Sequence, residues 1–96
     1  MSAQEFPHEQ FDDLLAANAE YQKGFKYSEL TGVAKQGLAI VTCMDSRINP
    51  LSVVGMRSGD AKILRNAGAR VTEDVLRTLV LATYLLGVKQ IGRAHV

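Results

Sequence analysis

The sequence predicts an α/β fold with a parallel-type β-sheet core flanked by helices. Three observations predict it. Short apolar runs recur at residues 38–42, 61–64 and 88–91, each the length of a strand buried in a parallel sheet. A long helical pattern at 72–86 separates the second run from the third. Polar loops follow the first two runs, the second of them glycine-containing, and open α/β sheets place their ligand sites at such strand ends.

The elements follow in order. Residues 9–23 read as an amphipathic helix, with Phe11, Leu14 and Leu15 at i, i+3 and i+4. Asn18 interrupts the stripe at i+7, and Gly24 is the stop signal. Residues 25–37 are loop-like, punctuated by Gly32 and Gly37. Leu38 to Thr42 is the first strand, ending at Cys43. Leu51 to Met56 forms a helical turn, with Asn49 as cap and Pro50 at the first helical position. Ala61 to Leu64 is the second strand, after the Gly59-Asp60 turn. Thr72 caps a helix whose first turn holds Glu73 and Asp74 and whose end is marked by Gly87. Its apolar residues cover two faces. Val75, Leu76, Leu79, Val80 and Thr83 lie on one and Leu81, Tyr84 and Leu85 on another, so wide burial is expected, against the sheet and a neighbouring chain. Val88 to Ile91 starts a third strand.

Composition narrows the function classes. Ninety-six residues allow one domain, and 47% apolar with 22% charged residues is ordinary for a globular chain rather than a disordered one. A formal net charge of +1 leaves no general basic field for nucleic acid. No run approaches the ~18 apolar residues of a membrane span. The N-terminus has no basic and apolar signal-peptide pattern, and one thiol fits a reducing compartment, so the expected location is cytoplasmic. One cysteine excludes an intramolecular disulfide framework and any self-contained zinc site that needs two cysteines.

The chemistry concentrates at Cys43-Met44-Asp45-Ser46-Arg47, just past the first strand. Cys43 offers a thiolate, Asp45 a metal ligand or base, and Arg47 a two-pronged partner that fixes the charge of Asp45. An inert buried thiol and an ordinary turn with a surface ion pair fit the same residues. A tyrosine-phosphatase-like loop is excluded by spacing, because Asn49 stands where that loop needs its arginine. Between the second strand and the long helix runs Arg65-Asn66-Ala67-Gly68-Ala69-Arg70. Its small residues permit close backbone approach, and amides before a helix favour an anion. It is neither a dinucleotide-binding nor a Walker loop, and by itself it reads as an ordinary strand-to-helix turn.

Taken jointly, the two stretches, with the intervening Asn-Pro-Leu and the later Leu-Leu-Gly-Val-Lys-Gln-Ile, resemble the β-class carbonic anhydrases of the compact bacterial and archaeal branch. The resemblance runs from about Phe11 to Ile91 and covers the N-terminal portion of that domain. It implies a zinc cofactor held by Cys43 and by a His-x-x-Cys further along. Asp45 either takes the fourth zinc position or pairs with Arg47. It implies that Asp45 and Arg47 serve catalysis and that Asn66, Ala67 and Gly68 line the substrate pocket. The implied reaction is reversible hydration of carbon dioxide to bicarbonate by hydroxide formed at the metal, in a homodimer or an assembly of dimers. A carbonyl sulfide or carbon disulfide hydrolase of the same fold is the enzymatic alternative. A non-catalytic anion-binding or interaction module is the alternative from another class.

The His-x-x-Cys half is missing, so the fold is expected to be incomplete at the C-terminus. Residues 1–91 read as the N-terminal part of the domain. Residues 92–96 read as a non-native tail, because Ile-Gly-Arg-Ala-His-Val is what a common sequencing-library adapter encodes in one frame. Strand character is expected to fail after Ile91, since Gly92, Arg93 and Ala94 poorly continue a buried parallel strand. By strand register the zinc histidine of the resemblance would fall at Val96, so His95 is not assigned as a ligand. His8 is read as a solvated surface residue. The 96-residue chain is therefore expected to be inactive and poorly soluble.

Overall fold

In the computed structural model of the protein, residues 11–94 are described. His8, His95 and Val96 lie outside them. The elements are α1 (Asp12–Lys23), β1 (Leu38–Cys43), α2 (Pro50–Val53), β2 (Ala61–Asn66), α3 (Glu73–Leu85) and β3 (Gln90–Ala94). The three strands form one parallel sheet in the order β2-β1-β3. The predicted α/β class and its parallel sheet are present.

β1 is the centre of the sheet because it is the most apolar strand. Ala39, Ile40, Val41 and Thr42 are all buried. Successive side chains point to opposite faces, and register partners in a parallel ladder share a face. Ala39 and Val41 face α3 and join Val75, Leu79, Ala82 and Val88 in the core, with Leu64 packed against them. Ile40 and Thr42 face the other way. There they line an apolar groove of about 240 Å³ with Ile48, Pro50 and Val53.

The predicted helix signals operate at the predicted places. Thr72 Oγ1 accepts from the Val75 amide, and Asn49 Oδ1 accepts from the Ser52 amide with Pro50 at the first helical position. Gly24 ends α1. Within α1 itself no residue is buried, and Leu14 and Leu15 stand exposed. A stripe broken at Asn18 gives that helix too little apolar surface to pull it onto the sheet.

One expectation is met only in part within a single chain, and another needs correction. Wide burial of α3 does not occur within the chain: only Val75, Leu79 and Ala82 are buried. Leu76, Val80, Leu81, Tyr84 and Leu85 are exposed, because one three-stranded sheet covers one helix face. The third strand also runs later than expected, from Gln90 to Ala94. Gly92, Arg93 and Ala94 pair with Ile40, Val41 and Thr42. Among the described residues β3 has no further strand beside it, so its side chains are largely exposed and an arginine is tolerated. Arg93 Nε donates to the Ala69 carbonyl. Among the described residues no helix is long and apolar enough to cross a membrane.

Candidate active site

The site is built where β1 and β2 end together. Cys43 and Asn66 are register partners at the last rung of that ladder. The Met44 amide donates to the Asn66 carbonyl at 2.9 Å, so the two loops leave the sheet tied to each other. The sequence motifs, 23 positions apart in the chain, thus become one surface at the carboxyl edge of the sheet.

The loop after β1 folds on itself. The Ile48 amide donates to the Asp45 carbonyl at 3.1 Å and closes a turn over residues 45–48. Inside it, Asp45 and Arg47 form the forked pair expected from sequence. Arg47 Nη2 donates to Asp45 Oδ2 at 2.6 Å and Nε to Oδ1 at 3.0 Å. The Arg47 amide also donates to Oδ1, at 2.9 Å. The guanidinium side-chain bonds foremost, then the amide bond, hold the Asp45 carboxyl below its ordinary range, with a small further contribution from the charge of Arg65. The same pairing raises Arg47. Asp45 is therefore an anion whose oxygens are already spoken for. Cys43 is a free, half-buried thiol.

The Asn66–Gly68 turn differs from a simple open cradle. Asn66 Nδ2 donates to the Arg70 carbonyl and Oδ1 accepts from the Arg70 amide, both at 2.7 Å. The side chain thus brackets its own loop, and the turn presents backbone outward. The bracket encloses Gly68 at φ +86° and Ala69 at φ +53°, the one non-glycine residue with positive φ among those described.

Sequence reasoning gave no role to Arg65. In the structure its Nε donates to the Cys43 carbonyl at 3.0 Å and its Nη2 to the Asp45 carbonyl at 2.7 Å. The available signal was an arginine at the last-but-one rung of a strand whose neighbour ends in the motif.

A thiolate and a carboxylate are zinc donors in kind. They are short in number: among the described residues no group of three or more His, Cys, Asp and Glu side chains is placed to hold a metal ion. Catalytic zinc is normally held by three protein ligands.

Fold and site together define a parallel α/β protein with a thiol and a carboxylate–guanidinium pair at the end of its central strand. The sequence profile of the carbonic anhydrase family matches residues 38–92. The chain belongs to that family, as the N-terminal portion of a β-class member. It is 42% identical over 84 residues to beta-carbonic anhydrase 1 of Mycobacterium tuberculosis, covering 88% of this chain and 51% of that one. It superposes on the crystal structure of carbonic anhydrase from Streptococcus mutans with a TM-score of 0.81 at 45% identity, covering 88% of this chain and 51% of that one. It is also 46% identical over 54 residues to carbon disulfide hydrolase of Saccharolobus solfataricus, covering 56% of this chain and 26% of the relative. The chain spans about half the length of the beta-carbonic anhydrase it matches.

Proposed function

We propose that this chain carries the first half of the active site of a zinc-dependent carbonic anhydrase that interconverts carbon dioxide and bicarbonate. The observation that carries the reading is the forked Asp45–Arg47 pair beside the free Cys43 thiol at the end of the central strand. Family membership and the β-carbonic anhydrase relatives support it.

In this reading Cys43 is a zinc ligand, and Asp45 is a ligand or the partner of Arg47. Bound zinc would supply a water ionised near neutral pH. Arg47 keeps the Asp45 carboxylate charged and turned aside, which leaves Cys43 as the donor open to metal. The Asn66–Gly68 turn, which starts on the same rung as Cys43, offers close backbone approach to a small substrate. Among the described residues two candidate donors fall short of the three protein ligands of a catalytic zinc site, and we read the chain by itself as inactive. The location is read as cytoplasmic.

Assembly is part of the same reading. The exposed apolar residues of α1 and α3 and the groove at Ile40 and Thr42 are surfaces that a homodimer would cover.

The test is stopped-flow hydration of carbon dioxide, with zinc content by mass spectrometry. It compares the 96-residue chain with one encoded by the locus read on past Ile91. Turnover by the longer chain, zinc-dependent and lost in Cys43→Ser, supports the reading. Saturable turnover by the 96 residues alone overturns the inactivity, and a metal-free longer chain overturns the zinc.

Carbon disulfide hydrolysis is the second reading, favoured by the match to the Saccharolobus enzyme. Fold and ligands do not separate the two substrates, because pocket shape does. Assaying the longer chain on both substrates decides between them.

A further inference from the structure

Arg65 is exposed, lies on the opposite strand face from Cys43 and Asn66, and opens the second motif stretch with no role assigned to it there. Yet its guanidinium turns over the strand ends and bridges the carbonyls of Cys43 and Asp45. We propose that Arg65 is the positioning residue of the Cys43–Arg47 loop, its bridge setting the direction in which the Cys43 thiol and the Asp45 carboxylate leave the end of β1. The proposal rests on the reading of Cys43, Asp45 and Arg47 as working residues.

Three observations carry it. First, the two bridged carbonyls belong to the two residues with the candidate donors, so fixing them fixes both Cα–Cβ directions. Second, the Asp45 carbonyl is also the acceptor that closes the 45–48 turn with the Ile48 amide. Arg65 therefore braces that turn from outside, across 20 positions of chain. Third, the Asp45–Arg47 pair fixes the carboxylate only relative to its own loop. Both partners lie within residues 45–48, with Arg47 86% and Asp45 18% exposed, so the pair itself gives the loop no tie to the sheet. The tie from residue 45 to β2 is its carbonyl, and among the described residues the distant side chain that reaches it is Arg65.

The geometry also explains the residue type. Nε and Nη2 lie along one edge of a rigid plane and donate in parallel to two acceptors. A lysine ammonium keeps the charge without that planar fork.

The test uses the ¹⁵N-labelled 96-residue chain, free of metal, by NMR. In the parent chain the Arg47 Nε–H gives a shifted, slowly exchanging signal, the signature of its pair with Asp45. In Arg65→Ala that signature is lost and the Arg47 backbone amide exchanges about tenfold faster, while amides of the β1–β2 ladder such as Ile40 and Leu64 keep their protection. Arg65→Lys, which keeps the charge, recovers only part of the effect. An Arg65→Ala spectrum with parent-like Arg47 signals and intact ladder protection overturns the proposal. If Arg65→Ala loses the ladder as well, Arg65→Lys decides: parent-like exchange at Arg47 overturns the bridge, and faster exchange with an intact ladder supports it. These readouts involve neither zinc nor turnover, so a failure of the carbonic anhydrase reading leaves them interpretable.

Discussion

Cys43 and Asn66 face each other on the last rung of the β1–β2 ladder, and the Asn66 carbonyl accepts the first amide beyond Cys43. The thiol's place in space therefore depends on how firmly the Asn66 turn is held. Asn66→Ala removes both 2.7 Å bonds to Arg70 that bracket Gly68 and Ala69. The expected loss is about 0.5–1.5 kcal/mol, the range for a hydrogen bond whose partner groups regain water. Urea unfolding measures it, and a midpoint unchanged from the parent would mean the bracket is not formed.

The Asp45 carboxyl titrates low because Arg47 donates to it from side chain and amide. A depressed folded-state value contributes stability above the unfolded value, near 3.8, and loses it as pH falls through the folded one. The expected outcome is a ¹³C carboxyl titration of Asp45 with its midpoint below that of a free aspartate. Arg47→Ala moves the midpoint up. The stability difference between the two chains is then flat at neutral pH and shrinks only in acid, on the falling side of the carboxylate range. A parent midpoint at the ordinary value would remove the pair.

Much of this was legible from local chemistry. Thr72, Asn49 with Pro50, and Gly24 act where capping rules put them, because a cap is decided within three or four residues. Cys43, Asp45 and Arg47 were legible for the same reason: spacing in one short loop forces them together. What was not legible is long-range or depends on missing neighbours. The extent of β3 is set by backbone pairing to β1, which accepts Gly92 and Arg93 as readily as apolar residues when nothing packs beyond them. The exposure of α3 follows from how little sheet there is to cover it. Arg65 became visible only when the ladder brought it beside Asp45, 20 positions away.

α3 holds to the sheet through Val75, Leu79 and Ala82. Leu79 is 8% exposed and Leu81, two residues on, is 55% exposed. Leu79→Ala therefore removes buried methyl groups and leaves a cavity, with an expected cost of about 2–5 kcal/mol. Leu81→Ala is expected to stay within about 0.5 kcal/mol. Denaturant unfolding of both variants tests the inward face. Equal losses would mean that α3 is rotated from this position or that its outer face is covered in solution.

Gly87 ends α3 and turns the chain into β3. Its φ is +76°, in the left-handed region that a side chain disfavours by about 1–2 kcal/mol. A Cβ there would also stand 2.8 Å from Val33 Cγ1. Val33 is 43% exposed on a loop, so it can yield, and the backbone term dominates. Gly87→Ala is expected to lower stability by about 1–2 kcal/mol. Gly92 is the internal comparison: it lies in a strand, away from positive φ, and a Cβ there meets nothing within 4 Å. Gly92→Ala is expected to be neutral or to stabilise by about 0.4–1 kcal/mol through the unfolded chain. If Gly92→Ala is instead the more damaging of the two, the β1–β3 pairing places another group against residue 92, and β3 is not the sheet edge.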